Sequence, residues 1–158
     1  MGTGRSFGEA FAKAQLAAGS SLPKEGTALV SVRDRDKAAV VGVGRDLVSL
    51  GFSIVATHGT AAALTAAGIE CVSARKVKEG RPHVVDMLKD GEFSLVINTT
   101  EGEEAIADSY AMRRAALDRR VTYTTTMAGA RATITGICAL AEREVNCLQD
   151  LHLETVPL

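Results

Sequence analysis

The chain has 158 residues, 46% of them hydrophobic, and its 18 basic and 19 acidic residues give a net charge of -1. That length suits one domain with a sizeable core and an appended segment, and the near-neutral balance excludes a global pull toward nucleic acid or an anionic membrane, so any anion site is local. Cys71, Cys138 and Cys147 show no CxxC spacing, which argues against a disulfide framework or a zinc site and for a reducing cytoplasm, and no apolar stretch approaches the ~20 residues of a membrane helix.

Residues 6–18 place Phe7, Ala10, Phe11, Ala14 and Leu16 close to a helical stripe, which predicts a short amphipathic helix. The small residues and proline of 18–23 read as a linker, so the main domain is expected to start near 24–26 and to leave the first helix in need of a partner. From Thr27 the signals alternate. Residues 28–32 form an apolar run, and Asp34 or Asp36 is placed to cap a helix whose Val40, Val43, Leu47 and Leu50 make a buried stripe ending at Gly51. Residues 52–56 with a helix over 61–67 make a second unit closed by Gly68, and 70–73 make a third strand. A charged loop over 74–82, a short helix over 83–89 and a strand over 93–97 follow. A helix over 108–117, a strand over 121–124 and a long helix over 127–144 complete the pattern.

Five short strands separated by helices specify an α/β fold: a Rossmann-like three-layer sandwich with a five-stranded, mainly parallel sheet and right-handed crossovers. Ligands of such sheets bind beyond the carboxyl ends of the strands, near the switch in strand order. The residues so selected are Ser31 and Arg33, Thr57 to Thr60, the 74–82 loop, Asn98, Thr99 and Thr100, and Thr124, Thr125 and Thr126. Hydroxyl, amide and cationic groups dominate there, with Lys76 and Lys78 in the third loop. Such a crown suits a phosphorylated small molecule. The Thr57-His58-Gly59-Thr60 turn opens a helix, where free N–H groups and two hydroxyls can receive an anion, or where Thr60 serves simply as an N-cap. Lys37 falls in the first turn of its helix, where a cation is disfavoured; either Asp34 and Asp36 offset a solvated lysine or a bound anion compensates. The first strand is followed by neither GxGxxG nor GxxxxGK[ST], which argues against a dinucleotide or P-loop site. His58, His83 and His152 show no metal spacing, and no nucleophile and base can be paired.

Four separated motifs, Ser31 with Asp36-Lys37, Ala56-Thr57-His58-Gly59-Thr60, residues 76–83 and Ile97-Asn98-Thr99-Thr100, resemble the methylglyoxal-synthase-like domain in type and order. The stretch 26–150 is similar, more narrowly, to the C-terminal allosteric domains of carbamoyl-phosphate synthase large subunits, and 4–16 resembles the stretch leading into them. The resemblance implies that 1–25 is a helix and linker from the end of the second synthetase half and that 26–158 is the allosteric domain. The chain is then expected to be a C-terminal piece that starts at an internal methionine. It implies a regulatory domain, without chemistry or cofactor of its own, that binds nucleotide monophosphates (UMP, IMP) through Ser31, Lys37, Thr57, Thr60, Lys76, Asn98, Thr100 and Asp108. Ornithine would meet Tyr123 and Thr125. The implied partners are the rest of the large subunit and, through it, the glutaminase small subunit, in a cytoplasmic enzyme of pyrimidine and arginine biosynthesis that uses ATP with Mg2+ or Mn2+ and K+. Self-association through the first helix is a further expectation, and neither nucleic acid nor membrane is an expected partner. The alternative is a methylglyoxal synthase-type lyase acting on dihydroxyacetone phosphate. That enzyme's carboxylate base matches Pro82, which cannot abstract a proton. The inosinate cyclohydrolase relatives differ at the turns after the first two strands.

Overall fold

The computed structural model describes residues 1–76, 79–140, 147 and 149, with the side chains of Glu103, Glu104 and Asp108 outside that description. Five strands, β1 (Thr27–Ser31), β2 (Ser53–Thr57), β3 (Val72–Ala74), β4 (Leu95–Asn98) and β5 (Thr122–Thr124), form one sheet in the order β3-β2-β1-β4-β5. Every pairing is parallel, and Ser31 is the register partner of Asn98. The helices given bounds among the described residues are α1 (Phe7–Ala17), α2 (Lys37–Ser49), α3 (His58–Ala66), α4 (Val84–Lys89), α5 (Glu103–Asp118) and α6 (Met127–Ala139), with a 3-10 turn over Asp34–Asp36.

Alternation along the central strands divides the core in two. Ala28, Val30, Ile54, Ala56, Leu95 and Ile97 face α1, α2, α3 and α6, whereas Leu29, Val55 and Val96 face α4 and α5. Strands buried on both sides read as continuous apolar runs, which is what a parallel sheet between two helical layers requires. The fold is therefore an α/β three-layer sandwich of the expected Rossmann-like kind.

Several boundaries differ from the sequence expectation. Helix α3 starts at His58 rather than 61, with Thr57 as its N-cap residue, and Thr60 is spent on a contact across the sheet instead of closing the helix. Neither Asp34 nor Asp36 caps α2 through its side chain, because Asp36 accepts from Arg33 and Asp34 pairs with Lys37. Helix α5 starts at Glu103, about one turn before the expected 108. The described part of α6 runs to Ala139, and the expected continuation over 141–144 lies outside the described residues.

The first helix, expected to need a partner to pack on, finds it in α6, with Ala12 buried. Close approach depends on two glycines. A Cβ on Gly8 would lie 2.7 Å from the Thr135 carbonyl oxygen, and one on Gly136 would lie 2.9 Å from Phe11 and Leu22 side-chain atoms. Ser6 caps α1 by accepting from the Glu9 amide at 3.2 Å, and the Thr122 hydroxyl donates to the Ser21 carbonyl, which ties the 18–23 segment to β5. Phe7 and Leu16 of α1 are exposed apolar side chains.

Candidate functional site

The order of strands reverses at β1, and a cleft of about 410 Å³ opens beyond the carboxyl ends of β1 and β4. Ser31 and Asn98, paired in register, form its floor. Arg33, Asp34, Thr100 and Glu101 supply polar walls, Lys76 stands at one end, and Val84, Ala105 and Met112 give an apolar side. The loop ends are tied together. Thr99 N–H donates to the Ser31 carbonyl at 2.9 Å, Arg33 N–H donates to the Thr99 hydroxyl at 3.1 Å, and the Arg33 guanidinium donates to the Thr100 carbonyl at 3.5 Å. Arg33 Nε also binds Asp36 at 2.7 Å.

Beside the cleft lies a cluster of hydroxyls. The Thr57 hydroxyl donates to Ser31 Oγ at 3.2 Å and lies 3.4 Å from Thr60 Oγ1, which accepts from the Val32 amide at 3.1 Å. Thr57 and Thr60 are 2% and 1% exposed, so both brace the β1 and β2 ends from beneath. Lys37 reaches from α2 over the start of α3. Its Nζ is 2.8 Å from Asp34 and would lie 3.1 Å from a Cβ on Gly59. The lysine hydrogen bond and charge hold Asp34 below the ordinary carboxylate range, with Lys76 adding a smaller effect. Burial works to raise Asp36, yet the Thr99 hydroxyl and the Arg33 guanidinium together hold it below that range.

The cations differ in their partners. Arg33 pairs with Asp36, Lys37 with Asp34, and Arg35 approaches Glu101 at 3.8 Å. Lys76 has no carboxylate partner among the described residues. Its backbone is fixed instead, since the Lys76 amide donates to the Glu79 carboxylate at 2.8 Å. Among the described residues the cleft thus has one cation available to an anion, a floor of hydroxyl and amide, and an apolar side that suits a planar ring.

Of the positions singled out in sequence, Ser31, Lys76, Asn98 and Thr100 meet in this cleft, while Lys37, Thr57 and Thr60 form the adjoining group. Asp108 lies on α5, and its side chain and Lys78 are outside the described residues. Tyr123 and Thr125 line a second cleft of about 760 Å³ between the 19–22 segment, β5 and α6. The Tyr123 hydroxyl also accepts from the amide of Asn98, a floor residue of the first cleft, at 2.7 Å. Thr124 Oγ1 is the one buried side-chain oxygen without a partner among the described residues. His83 caps α4, its Nδ1 accepting from the Asp86 amide at 3.3 Å. Glu101, Ala105, Ser109 and Met112 were missed in sequence. The last three share one helix face, a signal concealed when α5 is started at 108.

The family model of the MGS-like domain matches residues 39–125 of this chain. The chain belongs to the MGS-like domain family. This MGS-like chain is 56% identical over 152 residues to the carbamoyl phosphate synthase large chain of Pseudomonas putida, covering 96% of itself and 14% of that relative. It is 56% identical over 153 residues to the large chain of Ralstonia nicotianae, with the same shares covered. A relative from Methanopyrus kandleri, named carbamoyl phosphate synthase large chain, C-terminal section, is 52% identical over 155 residues, 96% of this chain and 29% of that one. The homologues of this MGS-like domain are thus the C-terminal region of carbamoyl phosphate synthase large chains, and it spans a small part of their length. Ser31 and Lys37 precede the matched 39–125 stretch, while the other candidate positions through Thr125 fall within it.

Proposed function

We propose that this MGS-like domain is a regulatory module that binds nucleotide monophosphates such as UMP and IMP in the β1–β4 cleft and thereby regulates a carbamoyl phosphate synthase large chain. The observation that carries this reading is Lys76, a cation with no carboxylate partner among the described residues, in a cleft that is also lined by apolar side chains. A phosphate satisfies the lysine, while Val84, Ala105 and Met112 suit a base. Lys37, released from Asp34, and the first amides of α3 extend the anionic end. The second cleft, with Tyr123 and Thr125, is the place proposed for ornithine.

Regulation then follows from differential affinity. A nucleotide that favours one arrangement of this domain against the rest of the large chain shifts activity there, by no more than its preference between the two arrangements. The reaction itself, its ATP, Mg2+ or Mn2+ and K+, and the glutaminase partner all belong to the parent assembly in this proposal, located in the cytoplasm.

Calorimetric titration of the chain with UMP, IMP and ornithine tests the reading. Saturable binding of a mononucleotide is expected, and Lys76→Ala is expected to weaken it by about tenfold or more, one charge-assisted contact being worth ~1.5–3 kcal/mol. No binding of any mononucleotide at millimolar concentration overturns the proposal. Formation of methylglyoxal from dihydroxyacetone phosphate would replace it with the lyase.

A further inference from the structure

Helix α5 meets two different surroundings. Ser109, Met112, Ala115 and Ala116 are buried, the last three in the core shared with α4. On its outer side Ile106, Tyr110 and Leu117 are 53%, 67% and 73% exposed, and among the described residues no other helix leaves three large apolar side chains in solvent. Ile106, Tyr110, Arg113 and Leu117 follow one another at steps of four, three and four residues, the spacing of a two-helix seam, so they lie in one straight stripe. Single exposed residues such as Val48 of α2 and Val72 of β3 are ordinary surface, and Phe7 of α1 is already stacked on Phe11 with ring centroids 5.7 Å apart. A continuous stripe is not ordinary, and it marks a contact surface.

The order of charges along α5 selects the occupant. Glu103 and Glu104 open the helix, Arg113 and Arg114 stand in its second half, and Arg119 and Arg120 follow its end. Arg113 has no carboxylate partner among the described residues, its guanidinium donating to Ser109 Oγ at 3.5 Å. Two copies of this helix laid parallel would set arginine against arginine. Laid antiparallel, the acidic start of one meets the basic end of the other, and the stripe becomes complementary to itself. With a twofold axis between positions 111 and 112, Ile106 faces Leu117 of the second copy, Tyr110 faces Arg113 of the second copy, and positions 103 and 120 come together. A guanidinium over a tyrosine ring is a favourable pairing. We infer that α5 is an interface between two copies of this chain, paired antiparallel about that axis. Self-association then belongs to α5 and not to α1, which is spent on α6.

Sedimentation equilibrium of the full chain over a series of concentrations tests this pairing. The weight-average mass is expected to rise toward that of two chains. Leu117 also borders the second cleft, so the readout is mass and not ligand binding. Ile106→Glu and Leu117→Lys fall at exposed positions where the fold tolerates a charge, and each is expected to weaken association by about tenfold or more, because each sets a charge against an apolar side chain twice per pair. An equimolar mixture of the two variants is expected to regain association. The mixed pair opposes the new carboxylate to the new ammonium at one contact and keeps Ile106 against Leu117 at the other. Phe7→Ser combined with Leu16→Ser on α1 is expected to leave the mass unchanged. The mass of one chain at every concentration overturns the inference. So does a mixture that associates no better than its components, or association that is lost in the α1 variant and kept in Leu117→Lys.

Discussion

Asp36 shows how local competition reassigns a residue. Its place before α2 marks it in sequence as a helix cap, but Arg33, three residues earlier, draws the carboxylate to its Nε at 2.7 Å. The pair braces the turn after β1, whose backbone also holds Thr99. Both Asp34 and Asp36 titrate below the ordinary 3.8 in the folded chain. A carboxyl whose folded value is depressed contributes stability that is fully present above its unfolded value and is lost as pH falls through the folded one. The contribution of Asp36 is therefore constant near neutrality and declines below about pH 4. Asp36→Asn is expected to lower the unfolding free energy by about 1 kcal/mol at pH 7, and urea titrations should show the gap to wild type closing as the pH falls through the depressed folded value. A gap that persists in acid would assign the loss to the amide rather than to the charge. Lys37 was legible as an anomaly because cations are disfavoured in a first helical turn, and of the two aspartates that could offset it the coordinates select Asp34.

Among the described elements, the apolar stripes of period 3.6 mark the six helices, and the five strands are told apart by their short length, β-branched residues and flanking turns. The start of α5 was lost to Gly102, whose φ of 86° places it in the left-handed region as an N-cap, although the acidic pair Glu103-Glu104 suits a first turn. The seam between α1 and α6 was not legible, since nothing in the sequence shows that Gly8 meets Thr135 or that Gly136 meets Phe11. Glycines in two helices should respond with opposite sign. Gly42 in α2 has nothing within 4 Å of an added Cβ, so Gly42→Ala is expected to stabilise the fold by about 0.5–1 kcal/mol through helix propensity. Gly8→Ala places a methyl 2.7 Å from a backbone oxygen and is expected to cost about 1–3 kcal/mol, read as a lower urea midpoint. Equal shifts in the two variants would mean that α1 yields freely and that the seam is not close-packed.

For the molecule as a whole, a net charge of -1 leaves anion binding to local arrangement. A ligand that binds only the folded chain raises its stability by about 2.7 kcal/mol at a hundred times the dissociation constant. Thermal unfolding with UMP should therefore shift upward in the wild type and much less in Lys76→Ala, and added salt should reduce the shift by screening the exposed contact. A salt-insensitive shift would place the nucleotide away from the lysines. The site was legible at this scale because a parallel sheet concentrates polar residues at its carboxyl edge and changes direction at β1. Its α5 wall was not, since that depends on how a helix distant in sequence is laid across the strands. One feature of the edge bears on how such a module would sense concentration. Asp34, 93% exposed, is already seated on Lys37 when a phosphate arrives. An incoming ligand must therefore displace an intramolecular rival. Because that pair is exposed and screened by solvent, the handicap it imposes is small. That handicap raises the threshold at which the cleft fills and shortens each occupancy, so the response follows a changing metabolite pool rather than locking onto its first encounter.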